Sequence, residues 1–218
     1  IFTLHPDNYR TLSAIDVRIL KDDKYNAILE AARHEFVEKG FKDASMRSIS
    51  KKSEVGLSNI YNYFENKDEI FLAVVNPAKE ELYRFITLQH SEETFDFNRK
   101  SVFGVQEEAM EYYIELLFKY KEEFRLLLFH SQASSVGNFR DKLADHMTKV
   151  SYTYMEIEKK HYPEVNPISS FFIHSMSVWM ISLLGEIVNH NMSRQEIRDF
   201  FREYFRFGYA GWRELTGV

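Results

Sequence analysis

The chain has 218 residues, 44% of them hydrophobic, which is enough for one large domain or two small ones. With only 8 Gly and 4 Pro, and with apolar residues recurring at spacings of three and four, a many-turned β-architecture is excluded and the pattern is all-α. Zero Cys excludes disulfides and thiolate metal sites, and a net charge of -5 argues against a general affinity for polyanions.

Residues 1–22 carry Arg10, Arg18 and Lys21 and read as an arm or as an extension of the first helix. That helix has an apolar stripe of Tyr25, Ile28, Leu29, Ala32, Phe36 and Val37 and is expected to end at Gly40. From Ser45 to Phe71 the chain runs SMRSISKKSEVGLSNIYNYFENKDEIF: two short helices, a tight turn and the start of another helix, the layout of a DNA-reading helix-turn-helix. Ser45 is placed to N-cap a helix that carries Ile49 inward and Arg47, Lys51 and Lys52 outward. Glu54, Val55 and Gly56 form the bend, and LSNIYNYF is the second helix, whose outer face offers Ser58, Asn59, Asn62 and Tyr63. Asn66 is an N-cap for the next helix, with Glu69 placed as in a capping box. Lys67 at the first helical position opposes the helix dipole, which leaves a solvated lysine or a phosphate held jointly with the free amides. Between Phe41 and Lys67 five basic residues face three acidic ones, a local surplus that a symmetric dimer doubles.

This stretch resembles the TetR family of bacterial transcription regulators, whose run is approximately T-x-x-x-I-A-x-x-A-G-V-S-x-x-x-L-Y-x-Y-F-x-x-K-x-x-L. The match is carried by Ser45, Ile49, Val55, Ile60, Tyr61, Tyr63, Phe64, Lys67 and Ile70. Ser50 and Ser53 replace small alanines, Gly56 stands at the usual serine cap, and Glu54 stands where glycine is usual. If that turn residue adopts positive φ, a non-glycine there costs on the order of 1 kcal/mol. The resemblance implies a homodimeric one-component regulator, most simply a repressor of a palindromic double-stranded DNA operator, released by a small-molecule effector. It implies DNA contacts by Ser45, Arg47, Ser58, Asn59, Tyr61, Asn62, Tyr63 and Lys67. Asn59 and Asn62 suit base edges, since an amide pairs with adenine in the major groove; Arg47, Tyr61, Tyr63, Lys67 and Ser45 suit the backbone.

Beyond the motif, Pro77 is expected to interrupt a helix that resumes through Leu82, Phe85 and Ile86, and the polar residues 91–101 read as a connection. Helix follows from about Val102 to Leu117, breaks near Lys121, and resumes through Phe124 to Leu128; residues 132–138 form a loop. Phe139, Leu143, Met147, Val150, Tyr154 and Ile157 make a long stripe. Asn166 and Pro167 mark the start of a helix that is apolar on nearly all sides up to Val188, and Ser193 with Glu196 is a capping box opening the last helix. The expected organisation is an arm or extension at 1–22, a three-helix helix-turn-helix domain at 23–70, and a larger helical effector-binding and dimerisation domain at 71–218.

The body holds most of the chain's 13 Tyr, 19 Phe and 2 Trp, and most of these pack helices together. Tyr112, Tyr113, Phe118, His130, Tyr152, Phe172, His174 and Trp179 combine apolar faces with polar tips or sit beside such residues, and are candidates to line an effector pocket. Ile173, Met180, Leu184, Phe201, Phe205, Gly208 and Trp212 on the last two helices are candidates for a four-helix dimer interface, which would set two recognition helices about 34–36 Å apart.

No enzymatic motif stands out: there is no phosphate-cradling glycine loop or nucleophile elbow, and His34-Glu35 lacks the second histidine of a zinc-protease helix. Glu186 and His190 sit four apart, a spacing better explained as a surface pair than as a metal site. No enzyme, cofactor or metal is expected. No uninterrupted apolar run reaches the ~18 residues of a membrane span, and a cytoplasmic location without membrane contact is expected. The alternatives are a helical protein-binding adaptor whose helix-turn-helix no longer engages DNA, and a helical enzyme.

Overall fold

A computed structural model describes the backbone of residues 7–95 and 107–217, with side chains from residue 23 onward. Among these residues there are helices and no strands. The expected helix start at Val102 and Val105 lies outside them. The main helices are α1 (Asp7–Asp43), α2 (Met46–Ser53), α3 (Leu57–Ile60), α4 (Lys67–Gln89), α5 (Glu107–Lys119), α6 (Lys121–Phe129), α7 (Phe139–His161), α8 (Ser170–Asn189) and α9 (Arg194–Thr216). Residues 7–22 therefore continue α1. Two compact units emerge: the head, up to Val74 together with Ala133–Ser135, and the body, Val75–Gln132 with everything from Val136.

In the head, α1 is kinked at Gly40, whose φ of 72° and ψ of 172° suit a residue without Cβ. The kink turns Phe41 inward, where it meets Phe36 and Phe71; the Phe36 and Phe41 rings each lie 5.0 Å from Phe71, edge-on. Ile28, Ala32, Ile49, Ile60 and Ile70 complete a core with no exposed surface. The α4 start keeps the expected Asn66 cap, whose Oδ1 accepts from the Glu69 amide at 3.0 Å, but the capping box is not closed, since Glu69 Oε2 accepts from the Glu65 amide at 2.7 Å and not from that of Asn66. Asp68 Oδ1 also accepts from the Ser135 amide at 2.8 Å, tying Ala133–Ser135 into this unit.

In the body, Pro77 does not interrupt α4 but sits inside it, where a helix pinned by buried Val74, Val75 and Ala78 tolerates one missing amide donor. The α8 start also differs: Ser169, not Asn166, is the cap, its side chain accepting from the Phe172 amide. Asn166 instead donates its backbone N–H to the Thr216 carbonyl at 2.9 Å, holding the end of α9. Ser193 and Glu196 form the expected reciprocal capping box. At Gly185 a Cβ would come within 2.9 Å of the Phe129 ring, so its glycine lets α6 lie close against α8. An ion-pair ladder joins α9 to α5, pairing Arg194 with Glu115, Arg198 with Glu111 and Arg202 with Glu107. The i, i+4 spacing on both antiparallel helices sets these three rungs.

Helix α8 is long and apolar enough to cross a membrane by length and composition, which revises the expectation from uninterrupted runs. It is not buried all round within the chain: Phe171 is 79% exposed and Val178 and Trp179 are also exposed.

Candidate DNA interface and internal cavity

The α2–α3 turn is held by the residues that depart from the family run. Glu54 is in the left-handed region, φ 57° and ψ 15°, as the C-cap of α2, so the expected positive-φ cost is present. The two serines do more than stay small: Ser50 Oγ donates to the Val55 carbonyl at 2.7 Å, and Ser53 Oγ accepts from the Val55 amide at 3.3 Å. These bonds satisfy polar groups of the turn that an alanine would leave alone. The recognition segment is shorter than expected, with helix only over Leu57–Ile60 and a turn through Tyr61–Tyr63. Ser58, Tyr61 and Asn62 are exposed and Asn59 is half-buried, with Asn62 Nδ2 donating to Asn59 Oδ1 at 3.2 Å. Tyr63 is half-buried, its ring 6.3 Å from that of Tyr25, so it offers less surface than Tyr61.

Ser45 has the extended backbone of an N-cap, but its hydroxyl makes no cap bond. Its amide donates instead to Glu35 Oε1 at 3.2 Å. Glu35, on α1, is the residue that sequence reasoning missed. It is fully buried and accepts from Ser48 Oγ at 2.6 Å, Lys39 Nζ at 2.9 Å and Lys52 Nζ at 2.9 Å. Burial raises the carboxyl's pKa, but the bonds from Ser48, Lys39, Lys52 and Ser45 outweigh it and bring it to about 2. The signal available in the sequence was a carboxylate beside Phe36, on the inward side of the apolar stripe.

Two of the basic residues counted toward DNA are thereby committed. Lys52 bridges Glu35 and Glu38. Lys67 must be corrected: its ammonium donates to the carbonyls of Phe41 at 2.6 Å, Lys42 at 3.1 Å and Ala44 at 2.9 Å. An ammonium has three donors, and all three point at the end of α1, so Lys67 braces the helix break instead of meeting phosphate. The same cation lies 4.6 Å from the Phe41 ring centre. Arg47 and Lys51 remain exposed beside the recognition segment.

The body holds a partly open cavity of about 330 Å³. Its wall is built from single stripes on several helices: Leu82, Phe85 and Ile86 on α4; Leu143, Met147, Tyr154 and Glu158 on α7. α8 adds Ile173, Met176, Met180 and Leu184, and α9 adds Tyr204, Phe205, Gly208 and Trp212. Of the eight residues expected to line it, Tyr113 alone does, its hydroxyl pKa pushed up by burial.

The others are corrected by helical phase. Tyr112, one residue off, is exposed, donating to Glu81 Oε1 at 3.0 Å and accepting from Arg84 at 2.8 Å. Phe118 packs beneath the Arg194 guanidinium, 4.5 Å from the ring centre, and His130 is exposed at the end of α6. Tyr152 turns to solvent between Ser151 and Tyr154; Phe172 and His174 flank Ile173 but miss its stripe. Trp179 lies outside, its ring 5.4 Å from Tyr204 and 6.2 Å from Phe207.

The residues expected at a dimer interface divide between core and cavity wall, with Gly208 exposed and Met180, Phe205 and Trp212 half-buried. Ile173, Leu184 and Phe201 are buried within the chain, and Met180, Phe205, Gly208 and Trp212 join Ile173 and Leu184 in lining the cavity. The large apolar side chains that α8 and α9 leave uncovered are Phe171, Val178, Trp179, Phe207 and Leu215, with Phe207 68% exposed. His190 ends α8, with Nδ1 2.8 Å from the Glu186 carbonyl, a local helix-end contact. No cluster of metal-ligating side chains occurs among the described residues.

Comparison with known proteins follows the same division. Residues 28–74 match the family model described as bacterial regulatory proteins, tetR family. Over 60 residues, 28% of this chain, it is 35% identical to the uncharacterized HTH-type transcriptional regulator YhgD of Bacillus subtilis (strain 168), and that match spans 31% of the relative's length. In fold it is similar to a TetR-like transcriptional regulator from Rhodococcus sp. RHA1, with TM-score 0.57, 17% identity, and coverage of 86% of this chain and 96% of that one. A transcriptional regulator (TerR/AcrR family) from Aquifex aeolicus VF5 is similar too, with TM-score 0.52, 19% identity, and coverage of 86% and 98%. The tetR-family match is thus confined to the head, over residues 28–74, while the likeness of the all-helical body to these regulators is one of fold.

Proposed function

We propose that this protein is a cytoplasmic, non-enzymatic transcription regulator that binds a palindromic DNA operator as a homodimer and is released by a small-molecule effector held in the body. The observation that carries the DNA reading is the braced α2–turn–α3 unit, which leaves Arg47, Lys51, Ser58, Tyr61 and Asn62 exposed while Glu35 and Lys67 fix it from within. Asn59 and Asn62 read base edges; Arg47, Lys51 and Tyr61 meet the backbone; Ser45 adds a contact through its uncommitted hydroxyl. The partly open cavity supports the effector, and the apolar surface of Phe171, Val178, Phe207 and Leu215 supports pairing with a second copy.

Selection of bound DNA from a random pool tests this. The expected product is a two-fold-symmetric sequence whose half-sites lie about one helical turn apart, bound more weakly as salt rises. Failure to enrich any sequence at low salt would favour a protein-binding adaptor.

A further inference from the structure

Two tyrosines on the cavity wall carry hydroxyls that the fold itself does not use. Tyr113 on α5 has its ring stacked on Phe85 at 5.1 Å and set against Phe201 at 5.3 Å. Tyr204 on α9 is packed by Trp179 at 5.4 Å and Phe205 at 5.5 Å. These neighbours fix both rings, yet neither hydroxyl has a hydrogen-bond partner among the described residues. Tyr112 shows the contrast, its hydroxyl bonded to Glu81 and Arg84. Burial pushes both cavity hydroxyls up, Tyr204 to about 12, and the Tyr204 phenol adds to the rise at Tyr113, so the two lie near each other and keep their protons. A buried phenol O–H ordinarily finds an acceptor, and two without one on a cavity wall mark where an acceptor belongs.

Three other polar groups of the wall do not compete for that role. The Trp212 indole donates to Glu158 Oε2 at 3.1 Å, and Ser177 Oγ donates to the Ile173 carbonyl at 3.0 Å. His90, kept neutral because burial lowers its pKa, donates Nδ1–H to the Ile86 carbonyl at 2.8 Å, so its other ring nitrogen is an acceptor. No Lys or Arg is among the described lining residues, and a carboxylate or phosphate head would be buried there without a counter-charge. We propose that the ligand of this cavity is a neutral, largely apolar carbonyl compound, a ketone, ester or lactone, whose oxygen accepts from the Tyr113 and Tyr204 hydroxyls. This rests on the cavity being the effector site. A carbonyl oxygen has two lone pairs, one for each hydroxyl, and Leu82, Ile86, Leu143, Met147 and Met180 receive the apolar body.

Three ten-carbon phenyl compounds, butyrophenone, butylbenzene and 4-phenylbutanoate, test it by equilibrium dialysis against the purified protein at pH 7. Butyrophenone is expected to bind about tenfold or more tightly than either of the others. Tyr113→Phe and Tyr204→Phe, which keep the packed rings, should each cut the preference for the ketone over butylbenzene about threefold, and the double variant should abolish it without weakening butylbenzene. Should a variant fail to fold, the order of the three probes on the wild-type protein still decides. Butylbenzene or 4-phenylbutanoate binding as tightly as butyrophenone overturns the carbonyl ligand, as does a ketone preference that survives in the double variant. If one of those two binds and releases the selected DNA while butyrophenone does not, the cavity remains the effector site and this proposal alone falls. Binding of none of the three, to protein that still holds its operator, counts against this ligand and the effector reading together.

Discussion

The head and the body solve opposite problems. The head holds its recognition segment with committed polar groups: the Glu35 carboxylate receives four donors, the Lys67 ammonium spends three, and Ser50 and Ser53 fasten the turn. The body leaves its interior partly unfilled and its outer α8–α9 surface apolar, and ties helices by exposed pairs such as Arg202–Glu107 at 2.7 Å. A segment that reads DNA needs fixed geometry, because base contacts depend on placement within a fraction of an ångström. A segment that accepts a ligand and a second copy needs space and uncovered surface.

The largest test of this contrast is on the body's outer surface. Phe207→Asp combined with Phe171→Asp is expected to give monomers in sedimentation and to lower operator affinity by about 100-fold or more, since the second head loses its tether. Met180 and Phe205, which line the cavity, should matter to ligand binding instead.

Next is Glu35. Glu35→Ala removes the carboxylate from a buried network and is expected to cost about 3 kcal/mol in denaturant unfolding. Because its folded pKa is depressed to about 2, its stabilisation is fully present above the unfolded carboxyl range near 4.5 and is lost as pH falls toward 2. The wild-type head should therefore lose stability between about pH 5 and pH 2, and the variant should show a shallower loss over that window. Equal slopes for the two proteins would argue against the network.

Lys67 separates a brace from a phosphate contact. Lys67→Met is expected to lower head stability by about 2 kcal/mol, because carbonyls at the α1 end lose their donors, while leaving the salt slope of DNA binding unchanged. Arg47→Ala should do the reverse: little change in stability and a slope flatter by about one unit. A flattened slope in Lys67→Met would restore the phosphate role.

The smallest effect is at the turn. Glu54→Gly relieves a left-handed residue and is expected to stabilise the head by up to about 1 kcal/mol, less whatever glycine adds to unfolded-chain entropy. A measured loss of stability there would mean that the Ser50 and Ser53 bonds have already absorbed the strain.

The sequence by itself determined the helical class, the motif from Ser45 to Phe71, the strained position at Glu54, the Asn66 cap and the capping box at Ser193. Each depends on residues within a few positions of one another, where helix period, cap chemistry and turn preference act directly. Tertiary structure decided the rest. Whether Lys67 meets phosphate or the carbonyls of Phe41, Lys42 and Ala44 depends on where the kink at Gly40 brings the chain 23 to 26 residues earlier. The same holds for Met180 against Phe171, or Tyr113 against Tyr112: on a helix apolar on several sides, composition does not say which stripe faces the cavity and which faces out. That phase is set by what packs on the other side, and the packing partners are distant in sequence.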